Sequence, residues 1–273
     1  MSTAEQPEIK TSIAHPARIY DYFLGGKDNY PADREAAERV LAAVPQARQM
    51  AQANRAFLQR VVRFLAGEVG IRQFLDIGTG IPTQGNVHEV AEQVTPAARV
   101  MYVDNDPIVH VHTNALMRGD NTAAVLADLR APASILGHPQ VRQIIDFDQP
   151  VALLLVAILH FIRNEEDPAG ILARFCRAVA PGSYLVISHA TGDFDPVAAT
   201  TAAGAYDNAA APMVLRSHEE IERLFDGFPL VDPGLVQVSR WRPDRDDAAG
   251  HDEVWAYGGV GQRPSRLRRN ANR

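Results

Sequence analysis

The sequence has a single cysteine, Cys176, which excludes an intramolecular disulfide and gives no sign of an oxidising compartment. Cys176 falls in a segment with amphipathic helical spacing, where a buried structural thiol is expected rather than a nucleophile. Lysine is nearly absent: Lys10 and Lys27 are the only two, and every other cation is arginine, which reads as a compositional bias rather than chemistry. An excess of positive charge is also missing. The formal net charge is -6, which argues against a nucleic-acid partner, because a polyanion calls for concentrated cations. No apolar run is long enough to span a bilayer, and the opening MSTAEQPEIKTS has no apolar signal core. A cytoplasmic enzyme without a membrane partner is the expectation. No cluster of Cys or His has metal-ligand spacing. VHEV carries His88 with no histidine four positions on, so no metal is expected. Internal repeats are absent, and nothing marks an oligomeric state.

What is present changes period along the chain. Residues 1–14 are polar and expected to be disordered. Residues 15–69 read as helices. Pro16 opens a short one carrying Ile19, Tyr20, Phe23 and Leu24, stopped by Gly25-Gly26. A second runs from Pro31 to before Pro45, and a third from about Gln46 to Ala66. From residue 70 to 262 short apolar runs alternate with helical spacing. RQFLDIG, ARVMYVDND, AAVLADLR, PVALLLVAILHFI and PGSYLVISHA read as five strands, the fourth apolar throughout, as in a parallel sheet. Helix-like segments separate them. This is the doubly wound α/β pattern. Val197 to Ala211 has no strong periodicity. Ser217 with Glu220 forms a capping box that starts a helix. GLVQVSRW and EVWAYGGVG read as two further strands joined by an acidic surface hairpin. Residues 263–273 form a basic tail expected to be solvated.

The stretch FLDIGTGIP has a strand entering a glycine turn, which suits either a dinucleotide or S-adenosylmethionine (SAM). A dinucleotide fold wants a third glycine three positions after the second, opening directly into a helix. Here the second is Gly80 and position 83 is Thr83, while Pro82 removes an amide donor. Asp76 precedes Gly78 by two. Its carboxylate complements the ammonium and sulfonium of SAM and would repel a pyrophosphate. Asp104, with Asn105 beside it, closes the second strand and suits two ribose hydroxyls. Asp128 closes the third and suits the adenine amino group, with the Leu129 amide toward a ring nitrogen. Asp also caps helices after strands. Three acids at three successive strand ends behind Gly78-Thr79-Gly80 favour the ligand reading.

These residues resemble the class I SAM-dependent methyltransferases. LDIGTG is similar to their first motif, Asp104 to the acid of their second strand, ADLR to their adenine-side motif, and the two late strands to their reversed hairpin. RIYDYFLGGKDNYPADR, NRAFLQRVVRFLA, FLDIGTGIPTQGNVHEVAE and YVDNDPIV together resemble an actinobacterial S-adenosyl methyltransferase family, formerly a domain of unknown function. The resemblance implies a Rossmann-like, seven-stranded, mostly parallel sheet with an antiparallel last strand, an N-terminal helical cover and SAM as cofactor. It supplies no methyl acceptor. The IPT that follows the second motif glycine departs from the common pattern.

Further candidates stand beside these. The segment around Gly25-Gly26 reads either as turn chemistry or as a lid in which Tyr22 stacks near the cofactor and Lys27 or Asn29 meets a carboxylate. Arg55 reads either as a surface ion pair or as the partner of the methionyl carboxylate. His160, after the fourth strand, is the candidate general base, with a packed histidine as the alternative; His189 is a weaker one. VAILHF lacks the motif with which nucleobase amino-methyltransferases hold their target, which with the acidic charge favours a small-molecule acceptor. Two alternatives stay open: a SAM-binding protein without transferase activity, and an NAD(P)-dependent oxidoreductase.

Overall fold

The computed structural model describes residues 10–83, 85–116, 120–244 and 254–264. The chain begins with three helices: α1 (Pro16–Phe23), α2 (Pro31–Ala43) and α3 (Ala47–Arg63), the last running into a π-helical turn over Phe64–Val69. Then follow β1 (Gln73–Ile77), α4 (Val87–Val94), β2 (Arg99–Asp104), α5 (Pro107–Leu116), β3 (Thr122–Leu126), α6 (Pro132–Gly137), α7 (Pro139–Ile144) and β4 (Ala152–Val156). The chain continues through α8 (Pro168–Ala178), β5 (Tyr184–Ala190), α9 (Pro196–Gly204), α10 (His218–Arg223), β6 (Val236–Gln237) and β7 (Ala256–Gln262). Among the described residues no helix is long and apolar enough to cross a membrane.

The strands form one sheet in the order β3-β2-β1-β4-β5-β7-β6. Strands β1 to β5 pair in parallel, and β7 is antiparallel to both β5 and β6. Side chains alternate across each strand, so one continuous apolar run feeds two cores. Leu75, Leu153 and Leu155 pack with Ile135 and Phe175 on one face. Phe74, Leu154 and Val186 pack with Phe57 and Val61 of α3 on the other. The strand order reverses between β1 and β4. The crevice that such a reversal opens at the strands' carboxyl ends is where α/β folds bind ligands.

Helices α1, α2 and α3 form a third apolar cluster with the end of α9, Phe161 and Tyr206, above that edge. Their seating is polar at one corner. The buried Asp33 accepts the backbone amides of His15 and Tyr30, each at 2.8 Å, and lies 3.4 Å from the Arg18 guanidinium. Arg18 lies 3.6 Å from Asp106, just past β2, and so fastens the helical cover to the sheet.

The structure corrects three readings and completes a fourth. Residues 10–14 are held rather than loose: Arg18 donates to the carbonyls of Lys10 and Ile13, and Ala14 accepts from the Ala210 amide. Residues 1–9 and 265–273 lie outside the described residues, as does most of the acidic connection, 245–253. The stretch from Val197, read only as lacking strong periodicity, is helical as far as Gly204. Asp195 caps it by accepting the Ala198 amide at 3.0 Å, Pro196 opens it, and alanine favours helix without producing an apolar stripe. Third, GLVQVSRW is a strand only at Val236–Gln237. Buried Arg60 of α3 takes the carbonyls of Val238 and Trp241 at 2.7 and 2.9 Å, bending that stretch off the sheet. The fourth is a helix the sequence reading missed, α7, directly after α6.

Candidate active site

At the end of β1 the chain turns sharply. Gly78 has φ +77, and a Cβ there would lie 2.4 Å from Ile158; Gly80 has φ +68 and open space where a side chain would project. Both conformations are ones L side chains rarely adopt, so glycine is required at the turn for backbone reasons first. The amides of Gly78 and Thr79 donate to the Val103 carbonyl at 2.8 and 3.3 Å, which fastens the turn to β2. The Thr79 hydroxyl donates to the Asp76 carbonyl at 3.2 Å.

Asp104 closes β2 and is buried. Its carboxylate accepts the Gly80 amide on one oxygen and the Asp106 amide on the other, each at 2.9 Å. A carboxylate oxygen has room for a second donor, so Asp104 is aimed and still able to accept from a ligand. Asp128, past β3, accepts the Arg130 amide at 2.8 Å and the Asn105 side-chain amide at 3.1 Å. Arg130 bridges onward to Glu166 at 2.6 Å and to the Phe161 carbonyl at 3.1 Å. The turn chemistry weighed for the acids is therefore real, and it orients them.

One cavity is lined by Asp76, Gly78, Thr79, Gly80, Asp104, Asn105, Asp128 and Leu129, and also by Arg55 and His160. Burial, opposed by the nearby Arg55 and assisted by Asp104, pushes the Asp76 carboxyl up to about 7. Burial also raises Asp104, against the two amides it accepts and the nearby His15. Arg55 has its Nε and Nη2 buried and without a hydrogen-bond partner. Those two atoms form the edge of a guanidinium that grips a carboxylate with two parallel bonds. A buried cation edge without a partner is costly, and an incoming carboxylate satisfies it. The set fits SAM: an anionic group for Arg55, an ammonium for Asp76, and hydroxyls and an amine for Asp104 and Asp128.

Tyr22 is corrected. Its hydroxyl donates to Glu38 of α2 and its ring lies under Arg48, 4.7 Å from the guanidinium carbon, outside the cavity. Tyr20 lines the cavity instead, because helical spacing turns the two residues to different faces of α1. Lys27 is exposed, and Asn29 is buried in the turn, donating to Asp21 at 2.8 Å. His160 lines the cavity but is unsuited to be a general base. Burial, then the Arg216 charge, pushes it down to about 3. Its Nδ1 accepts the Ala190 amide at 3.3 Å, so in the neutral ring the other nitrogen carries the hydrogen. His189 is occupied on both sides, by the Ala190 carbonyl at 2.7 Å and Arg216 at 2.8 Å.

Several lining residues carry no ligand-binding role in the sequence: His15, Asn54, Arg130, Ser188, Tyr206, Met213 and Trp255, with Tyr20 expected only to pack. Arg130 was legible, standing two places after Asp128. The wall from α9 to Met213 carried no signal. Among the described residues no group of three His, Cys, Asp or Glu could hold a metal ion.

Comparison with known proteins identifies the family. A family model described as S-adenosyl methyltransferase matches residues 2–264. A DUF574 family protein from Streptomyces avermitilis is similar at 46% identity, with a TM-score of 0.91, over 94% of this chain and 100% of its own. A candidate methyltransferase from Thermobifida fusca is similar at 42% identity, with a TM-score of 0.89, over 97% of this chain and 100% of its own. No curated protein matches. Sequence, sheet order and strand-end acids thus converge, and the chain belongs to the S-adenosyl methyltransferase family.

Proposed function

We propose that the cavity holds SAM along the ends of β1, β2 and β3 and directs its methyl group to a small molecule held under α1–α3 and α9. The observation that carries this is the unpaired Arg55 edge lining the same cavity as the Asp76, Asp104 and Asp128 carboxylates. SAM supplies an activated methyl on a good leaving group. The protein then has to position and to exclude water, and positioning alone contributes as much as ~7–11 kcal/mol in favourable cases. Arg55 binds the carboxylate, Asp76 the ammonium, Asp104 the ribose and Asp128 the adenine edge. A cavity walled by helices, together with a net charge of -6, supports a compact acceptor rather than a nucleic acid. NAD(P) lacks support because the turn offers a carboxylate where pyrophosphate would sit. Thermal-shift measurements with SAM, S-adenosylhomocysteine (SAH), NAD and NADP test the reading: stabilisation by the first two alone is expected, and stabilisation by the nicotinamide cofactors alone overturns it.

Asp76 gives binding a pH dependence. The ammonium requires the ionised carboxylate, while the free protein holds that carboxyl up to about 7. SAM affinity therefore rises with pH and levels off above about 7. Below that it falls by up to roughly tenfold per pH unit, the limit for one linked proton. The free protein responds oppositely. The raised carboxyl favours folding at pH below the ordinary carboxylate range, and that contribution is lost as pH rises through about 7. Calorimetry across pH checks the binding slope, and Asp76→Asn is expected to flatten it.

A further inference from the structure

We term the part of the cavity against the ends of β4 and β5 and under the helical cover its acceptor lobe. Its walls are apolar and aromatic, with Phe23, Met50, Ala202, Tyr206, Met213 and Trp255 among them. Among the described residues no Asp, Glu, Lys or Arg lines this part. The charged liners, Arg55, Asp76, Asp104, Asp128 and Arg130, belong to the cofactor side described above, as does His15, 3.2 Å from Asp106.

Three polar side chains that reach the lobe, Tyr20, Asn54 and Ser188, are committed to one another. The Tyr20 hydroxyl donates to the Ala51 carbonyl at 2.9 Å and accepts from the Asn54 amide at 3.0 Å. The Asn54 carbonyl oxygen accepts the Ser188 hydroxyl at 2.6 Å, and Ser188 accepts the Ala157 amide at 2.9 Å. This chain ends in backbone at both ends, so it carries no proton to or from solvent. His189 has both nitrogens engaged, and His160 keeps only a donor. Burial pushes the Tyr206 phenol above its ordinary range, so it stays protonated. The lobe therefore has no group placed to take a proton and no Lys or Arg to hold an anion.

Resting on the SAM site proposed above, we propose that the acceptor is an uncharged aromatic or heteroaromatic amine whose nitrogen lone pair is free on arrival. The nitrogen pair forms the N–CH3 bond as the S–CH3 bond breaks. The sulfur keeps the bonding pair as a neutral thioether, and the positive charge passes to nitrogen. Where that nitrogen bears a hydrogen, the proton leaves to water after release, so no protein base is used. A strongly basic alkylamine arrives protonated, without a lone pair and with a charge the apolar walls do not pair. A phenol or carboxylic acid needs a base or a counter-cation that the lobe lacks.

Size-matched probes test this on the SAH-loaded protein: isoquinoline and 1-naphthylamine against 1-naphthol, 1-naphthoate and 1-naphthylmethylamine. The two neutral amines are expected to bind at least about tenfold tighter by calorimetry, a gap of ~1.4 kcal/mol, and to take methyl label from SAM. Met213→Asp, at a half-buried wall position, is expected to weaken both amines about tenfold or more with SAM affinity retained. Melting with SAH shows whether that variant folds; if it does not, the wild-type rank order decides. Preference for the naphthol, the naphthoate or the alkylamine overturns the inference, as does failure of both neutral amines with SAM binding intact. Failure of SAM and SAH to bind overturns the cofactor-site reading itself.

Discussion

Asp104→Ala is expected to weaken SAM binding by roughly 10²–10⁴-fold, the loss of two charge-assisted hydrogen bonds at ~1.5–3 kcal/mol each. The fold survives this change. Removing the carboxylate strands the Gly80 and Asp106 amides, which costs ~1–3 kcal/mol apiece where water cannot reach them, within the stability of an ordinary domain. Part of that cost is offset, because burial already disfavours the ionised form of Asp104. Calorimetry with SAM and a thermal melt of the free variant separate the two effects. Asp104→Asn keeps one acceptor oxygen and is expected to fall between. Unchanged SAM affinity in the alanine variant would show that the ribose is not held at the end of β2.

Arg55→Met comes next in size. It removes a cation whose Nε and Nη2 are buried and unpartnered, so the free protein loses no hydrogen bond at those two atoms and is expected to melt no lower. Binding suffers: SAM and SAH are expected to weaken about tenfold to several hundredfold, as for one bidentate charged pair. 5′-Methylthioadenosine, which has the nucleoside and thioether but no amino-acid carboxylate, is expected to bind equally well to both proteins. Equal losses for all three ligands would place Arg55 elsewhere in the site. The variant should also move the Asp76 midpoint upward, because Arg55 is the group that pulls that carboxyl down.

Asp104 and Arg55 differ in how much of their setting local sequence carries. Asp104 could be singled out because a strand, a glycine turn and a second strand fix the relative positions of their ends within a few residues of chain. Arg55 could be named only as one of two readings, since helical spacing does not say what lies opposite a helix face. Tyr22 and Tyr20 differ by two positions on α1, and the sequence reading took the wrong one. Helical spacing sets Tyr20 on the apolar face with Ile19 and Phe23, but it does not say that the cavity opens on that face. His160 lines the cavity, yet its role turns on the Ala190 amide and Arg216, groups thirty and more residues away.

The sequence by itself determined the parallel sheet, the succession of its first five strands with helices between them (α7 excepted), the glycine turn and the row of acids. Each of these is a local pattern: apolar runs of strand length, a residue type that tolerates positive φ, a carboxylate where a strand stops. Tertiary structure alone decided how far GLVQVSRW stays in the sheet, that an alanine-rich stretch forms a wall, and which polar groups are already spent. Those outcomes depend on what packs opposite, such as Arg60 taking two carbonyls or Arg216 occupying His189. A hydrogen-bond partner distant in the chain leaves no trace in local spacing, so the chemistry of the acceptor lobe became visible only when the helices closed over it.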